Sequence, residues 1–252
     1  MQLFQTLGHG LSALIVVGVV GVLAMRPALP LHTPPITTAT QTATPPAATQ
    51  ADQTLPGIDV SHYQGDINWT QVAADGLIFS YHKATDGITY SDPRYHANRA
   101  AATSAGLLFG AYHFYEPNDA PLPQAQNFVT VAGVGPGSLP PVVDLERAPP
   151  KGQEAAFAKD VETWLNYVEQ ATGCAPVVYA SPSFWNSYLD TAGADRPLWL
   201  ASYGTTPNLP RGLQKWTFWQ YSPHGSINGI KGFVDRNTFA GGHTDLANLT
   251  CP

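Results

Sequence analysis

Eight short apolar runs restrict most strongly what this chain can fold into; they lie at residues 57–63, 77–84, 107–115, 141–146, 176–180, 198–203, 217–221 and 230–235. Each has the length and character of a β-strand. What separates them narrows the choice further. Helix-length segments fit after each of the first five runs. Asp92-Pro93 offers an N-cap and a first-turn proline, and Gly106 a stop, for the helix between the second and third runs. Phe157, Val161, Trp164, Leu165 and Val168 recur at helical spacing before Gly173, another stop. After the sixth and seventh runs the gaps are short and rich in Pro, Gly and Asn, which suits loops or antiparallel returns. The pattern predicts a TIM-like α/β barrel with five β/α units and three closing strands, (β/α)5(β)3.

Upstream of the runs the composition changes twice. Residues 1–25 contain no Asp, Glu, Lys or Arg, and 11–25 is continuously apolar or small. That length suits a signal-peptide core and is short for a membrane span. Residues 1–26 therefore read as a signal peptide or a membrane anchor, with a tether through residues 8–25 in the second case. Residues 27–55 are rich in Pro, Thr and Ala and carry almost no charge. Such a stretch buries too little apolar surface to offset its ordering entropy, so it reads as a disordered linker. The folded domain is then 56–252. Export is expected, to the periplasm, the cell envelope or the medium.

That domain carries the whole net charge of −6, because Arg26 and Asp52 cancel. A mildly acidic surface with scattered Lys and Arg argues against a nucleic-acid partner. Cys174 and Cys251 are too far apart for a CxxC redox or zinc motif. In an exported protein they read as one disulfide pinning the C-terminus, or else as two buried thiols. A monomer is expected.

Chemistry enters at Asp144-Leu145-Glu146, where two acids stand two residues apart at the end of an apolar run. Side chains at i and i+2 of a strand share a face, so both carboxyls enter one pocket while Leu145 turns away. Two carboxyls in one pocket push their pKa values apart and supply an acid and an anion at one pH, as glycoside hydrolysis requires. The alternative is a strand end whose acids pair with Arg147 or Lys151. Reactive groups on such a barrel sit at the C-terminal strand ends. Asp59 lies within the first run and Asp235 ends the eighth, and barrel closure makes those runs neighbours.

The run Gly57-Ile58-Asp59-Val60-Ser61-His62-Tyr63-Gln64-Gly65 resembles the opening motif of the Chalaropsis-type lysozymes, glycoside hydrolase family 25. The likeness continues through Lys83-Ala84-Thr85-Asp86-Gly87, Asp92-Pro93-Arg94-Tyr95, Gly110-Ala111-Tyr112-His113-Phe114 and Asp144-Leu145-Glu146. It closes with Trp199-Leu200-Ala201-Ser202-Tyr203, Trp219-Gln220-Tyr221-Ser222 and Val234-Asp235-Arg236-Asn237. The resemblance implies cleavage of the β-1,4 bond after N-acetylmuramic acid in peptidoglycan. It implies Glu146 as general acid and Asp144 as its assistant, whether orienting the substrate's N-acetyl group, stabilising charge or attacking directly. Asp59 and Asp235 would shape the field and hold Glu146 protonated, or else cap loops. Two features depart from the family: Asp86 stands where Glu is frequent, and Ser80-Tyr81-His82 replaces a more apolar strand.

Aromatic faces suit sugar rings, although rings inside strands are more often core. Tyr112, Tyr179, Tyr203 and Trp199 are the candidate contacts, with Gln220 adding a polar one. His82 and His113 read as core. No cofactor is called for. Two other classes fit parts of the pattern: a metal-dependent barrel hydrolase using the acids with His62 and His113, and a glycan-binding barrel without turnover.

Overall fold

The computed structural model describes residues 53–252. Segments 1–26 and 27–52, with the leader, tether and most of the linker read there, lie outside the described residues. Nine strands and six α-helices follow in the order β1 (Thr54–Val60), α1 (Trp69–Ala74), β2 (Phe79–Asp86), β3 (Tyr90–Ser91), α2 (Tyr95–Ser104), β4 (Leu108–Phe114), α3 (Pro121–Ala132), β5 (Val142–Leu145), α4 (Glu154–Thr172), β6 (Val177–Ala180), α5 (Pro182–Tyr188), β7 (Leu198–Ala201), β8 (Phe218–Gly225), β9 (Val234–Ala240) and α6 (His243–Leu249). Hydrogen bonding runs β1-β2-β4-β5-β6-β7-β8-β9 and returns to β1, so eight strands close a barrel. Strands β1 to β8 of this ring are mutually parallel, and β9 is antiparallel to both its neighbours. β3 is a short flap on the end of β2. Five β/α units and three closing strands are present, as the run spacing predicts.

The helices start and stop where side-chain chemistry directs. Asn68 and Ser181 cap α1 and α5 by accepting backbone N–H bonds, and proline opens α3 and α5. Gly173 ends α4 in the left-handed region at φ 68°. The apolar stripe of α4, from Phe157 to Val168, is wholly buried. Asp92 does not cap α2: the helix starts at Tyr95, and the Asp92 carboxylate is spent on the Arg94 and His62 N–H groups. β1 takes in Thr54 and Leu55, the last residues read as linker, because Leu55 is buried and opposite Phe239.

Strand alternation sorts the core into two layers. Phe79, Tyr81, Val142, Tyr179, Trp199, Phe218 and Phe239 fill the barrel interior. Val143, Leu145 and Val178 turn outward against Phe128, Phe157 and Trp164 of the helices. The interior is so full that two strands carry glycine where a ring crosses them. A Cβ at Gly57 would lie 2.4 Å from the nearest Phe79 ring carbon, and one at Gly110 2.1 Å from the nearest Tyr81 ring carbon, both far inside contact distance. Outside, Ser80 and His82 pair with each other at 2.8 Å, and His82 stacks on Trp69, so this polar departure is accommodated locally.

Cys174 and Cys251 form a disulfide that ties the segment after α4 to the chain terminus. Cys251 also exchanges backbone bonds with Gly137 and Ser138. Among the described residues no helix is long and apolar enough to cross a membrane.

Two outcomes follow. Gly110→Ala should cost several kcal/mol or prevent folding, since Tyr81 is walled in by Trp199 and Phe218; a melting temperature equal to the parent's would contradict this packing. Replacing both cysteines by serine should remove up to about 4 kcal/mol in the chain-entropy model for a separation of 77 residues. Chemical unfolding of the two forms side by side measures it.

Candidate active site

The interior column of each parallel strand ends at the same barrel mouth, and there the apolar filling gives way to acids. On β5, Val142 points in, Val143 out, Asp144 in and Leu145 out. Glu146 follows just past the strand end, exposed on the pocket's edge. Asp59, only 8% exposed, occupies the corresponding place on β1. Asp235 reaches the mouth by another route from the one expected. It does not end the eighth strand but stands second in β9, because Gly229 and Gly232, both at positive φ, turn the chain through 229–232 before pairing begins. Running antiparallel, β9 delivers its start to the mouth and sets Asp235 opposite Asp59 in register.

These four acids line one pocket with a cavity of about 230 Å³. Tyr112, Tyr179, Tyr203, Trp199 and Gln220 line it as well, so all the residues selected for this site from sequence meet in one place. Their contributions differ. Trp199 is buried as core and touches Tyr81 and Tyr179. Tyr203, 59% exposed, stands at the rim. Tyr179 and Tyr203 both donate their hydroxyls to Gln220 Oε1, at 2.8 and 3.1 Å.

Asp59 Oδ2 accepts two amide N–H bonds, from Gln220 Nε2 at 2.9 Å and Asn237 Nδ2 at 2.7 Å. Asn237 is fully buried, and its Oδ1 accepts the Trp199 indole N–H at 2.8 Å. That bond leaves the amide nitrogen facing Asp59. Sequence reasoning passed over Asn237; its alternation with Asp235 on the inward face of β9 was the available signal. Lys83 and Phe114 also line the pocket. Lys83 Nζ lies 2.6 Å from Asp86 and 4.5 Å from the Phe114 ring centre. Arg147 pairs with Glu116 rather than with the acid pair.

Burial dominates the titration of the cluster. It raises Asp59 to about 8, helped by the charge of Asp235 and opposed by the Asn237 and Gln220 hydrogen bonds. Asp144 is driven well above the usual carboxylate range by burial, then by Glu146 and Asp59, against the pull of Lys83. Asp235 rises to about 6 through burial and the charge of Glu146, with His224 opposing. Buried Asp144 Oδ1 has no hydrogen-bond partner. The pocket thus combines proton-holding carboxyls, a solvent-facing acid on the edge and aromatic walls, an arrangement able to protonate a leaving oxygen and steady positive charge on a sugar.

The histidines considered for a metal site face elsewhere. His62 Nδ1 is 2.8 Å from Asp92 Oδ2. Buried His113 spans Thr85 and Gln124, and burial lowers it to about 4. Among the described residues no group of three or more His, Cys, Asp or Glu has the geometry to hold a metal ion.

The family model for glycosyl hydrolases family 25 matches residues 58–230. Lysozyme M1 of Streptomyces globisporus is 39% identical over 207 residues, covering 77% of this chain and 70% of that protein. The N,O-diacetylmuramidase of Chalaropsis sp is 32% identical over 206 residues, covering 72% of this chain and 96% of the relative. Among solved structures, the bacterial lysozyme of Streptomyces coelicolor superposes with a TM-score of 0.75 at 36% identity, covering 79% of this chain and 98% of that one.

The Asp59 environment generates a pH prediction. Its carboxyl titrates at about 8 in the folded chain against 3.8 ordinarily, so its stabilising contribution is complete below about pH 4 and is lost as pH rises to about 8. Asp59→Asn keeps an acceptor for both amides and should gain melting temperature over the parent at pH 8, with the gain shrinking toward pH 4. The same difference at both pH values would mean that Asp59 titrates like an exposed carboxyl.

Proposed function

The chain belongs to glycosyl hydrolase family 25 and is a glycoside hydrolase; on that premise we propose that it is an N-acetylmuramidase, cutting the β-1,4 bond between N-acetylmuramic acid and N-acetylglucosamine in peptidoglycan. Two relatives named lysozyme and N,O-diacetylmuramidase support the reaction. The observation that carries the division of labour is the burial of Asp144, its Oδ1 open, beside an exposed Glu146 with which its carboxyl shares a hydrogen bond.

Glu146 is the general acid. At the solvent edge it can protonate the departing glycosidic oxygen and recover a proton from water for the next cycle. Asp144 is too deep to exchange freely, and its open oxygen suits a partner that arrives with the sugar, such as the acetamido N–H. Oriented in that way, the substrate's own acetamido oxygen can attack the sugar centre, which is the substrate-assisted variant of glycoside hydrolysis. Asp59 and Asp235 set the field beneath the sugar. Tyr112, Tyr179 and Tyr203 supply apolar walls for the ring, Trp199 backs Tyr179 from the core, and Gln220 fixes the hydroxyls of Tyr179 and Tyr203 against Asp59.

The same reading places the enzyme outside the cytoplasm, as a monomer. Residues 1–26 act as a signal peptide or an anchor, with residues 8–25 as tether in the second case. The Pro/Thr/Ala-rich segment beginning at residue 27 is the linker that gives the barrel reach over the wall.

Digestion of purified peptidoglycan, with reduced products resolved by mass spectrometry, tests the reaction and the acid together. The wild-type chain should release fragments ending in reduced N-acetylmuramic acid. Glu146→Gln should bind the same wall but lose turnover by about two to four orders of magnitude. Asp144→Asn should also be severely slowed. Near-normal rates in the Glu146 variant would refute its role as acid, and products ending in N-acetylglucosamine would refute the bond assignment.

A further inference from the structure

The most exposed large apolar side chain among the described residues is Tyr63, at 82%, and it lines the carboxyl pocket. It was not among the substrate contacts selected from sequence. An exposed tyrosine on a loose loop would carry no argument; this one stands on a turn whose backbone is hydrogen-bonded, with the His62 ring beside its own.

Tyr63 sits in a one-turn 3-10 helix, His62–Gln64, just after β1. The turn is closed by a capping box: Ser61 Oγ accepts the Tyr63 N–H, and Gln64 Oε1 accepts the Ser61 N–H at 2.9 Å. Gly65, at φ 62°, returns its N–H to the His62 carbonyl at 3.0 Å. Beneath the turn, buried Asp92 accepts the His62 N–H at 2.9 Å and contacts its Nδ1 at 2.8 Å. Tyr90 braces the same imidazole from the β3 flap, its hydroxyl 3.2 Å from Nδ1. The His62 ring in turn backs Tyr63, with centroids 4.1 Å apart and planes tilted by 36°. The turn therefore fixes the Tyr63 backbone at the lip of the pocket and backs its ring with one braced imidazole, leaving the other face open to a ligand.

Around the ring, β1 is three strands from β5 through β2 and β4, so the Tyr63 turn stands across the mouth from Glu146. A glycan strand held over the carboxyls must leave the pocket past one lip or the other. We propose that Tyr63, backed by His62, is the platform of a second hexosamine subsite, stacking on the apolar face of a sugar adjoining the one held over the carboxyls. The proposal rests on the muramidase reading and adds to it a length preference: affinity grows when the strand reaches Tyr63. The occupant is a sugar ring of the same strand because the platform is continuous with the pocket wall, and a flat phenol with one free face matches the C–H face of a pyranose.

Calorimetric titration of the full Glu146→Gln chain with peptidoglycan glycan fragments of two and of four sugars tests it. Adding Tyr63→Ala should weaken four-sugar binding about tenfold, the scale of one well-formed aromatic contact, while two-sugar binding stays within about twofold. Tyr63→Phe and Tyr63→Trp, which keep a ring, should retain four-sugar affinity. Unchanged four-sugar binding in Tyr63→Ala would overturn the subsite. So would an equal loss on both lengths, since the ring would then be supporting the carboxyl pocket. Absence of binding by Glu146→Gln with Tyr63 intact would instead overturn the muramidase reading, and the subsite with it.

Discussion

The antiparallel course of β9 is the constraint on which the site depends. Every other barrel strand presents its C-terminal end at the mouth, so each contributes its last inward residue there. β9 presents its beginning. Side chains at alternate positions share a face, so Asp235, Asn237 and Phe239 descend in that order from the rim, through the hydrogen-bonded layer, into the apolar interior. One strand thereby delivers a carboxyl, the amide that steadies the neighbouring carboxyl, and the plug beneath both. A parallel strand of the same sequence would place Phe239 toward the mouth and drive Asp235 toward the bottom of the barrel.

The amide layer answers an electrostatic problem that this packing creates. Burying Asp59 opposite Asp235 disfavours its charge, and the dry floor of Tyr81, Trp199 and Phe218 supplies no compensation. Two amide donors on Oδ2 lessen the cost without removing it, which is why the carboxyl still titrates far above its ordinary range. The donors are themselves constrained. Trp199 occupies Asn237 Oδ1, and two tyrosine hydroxyls occupy Gln220 Oε1, so both amides present nitrogen to Asp59. A buried network in which every amide has one allowed orientation holds geometry tightly, as a site with fixed carboxyls needs.

Much of this was legible in the chain. Apolar runs and the stops at Gly106 and Gly173 exposed the barrel, because period and punctuation are local signals. The i, i+2 spacing of Asp144 and Glu146 exposed the acid pair for the same reason. What stayed hidden was non-local. The run ending at Asp235 looked complete because Arg236, Asn237 and Thr238 are polar, yet in a closing strand the polar residues alternate between solvent and the hydrogen-bonded layer. Asp92 looked like a helix cap because its neighbour is proline, whereas its carboxylate serves a turn thirty residues upstream in sequence. Tyr63 carried no signal at all: a tyrosine in a polar motif reads the same whether its ring lies flat in the core or stands free on a braced turn.

The cations nearest the acids are engaged with other carboxylates. Among the described residues lining the pocket Lys83 is the one cation, and it is already bound to Asp86 and seated over Phe114. Arg147, next to Glu146 in sequence, is drawn away to Glu116 and packs on the same Phe114 ring. Both cations pack on the Phe114 ring, and the charge of Lys83 still pulls Asp144 down against the larger effect of burial. Were Arg147 free to swing onto Asp144, its charge would favour the carboxylate there and oppose the effect of burial. The Glu116 and Asp86 pairings hold these two cations, and Lys83 lowers Asp144 only in part.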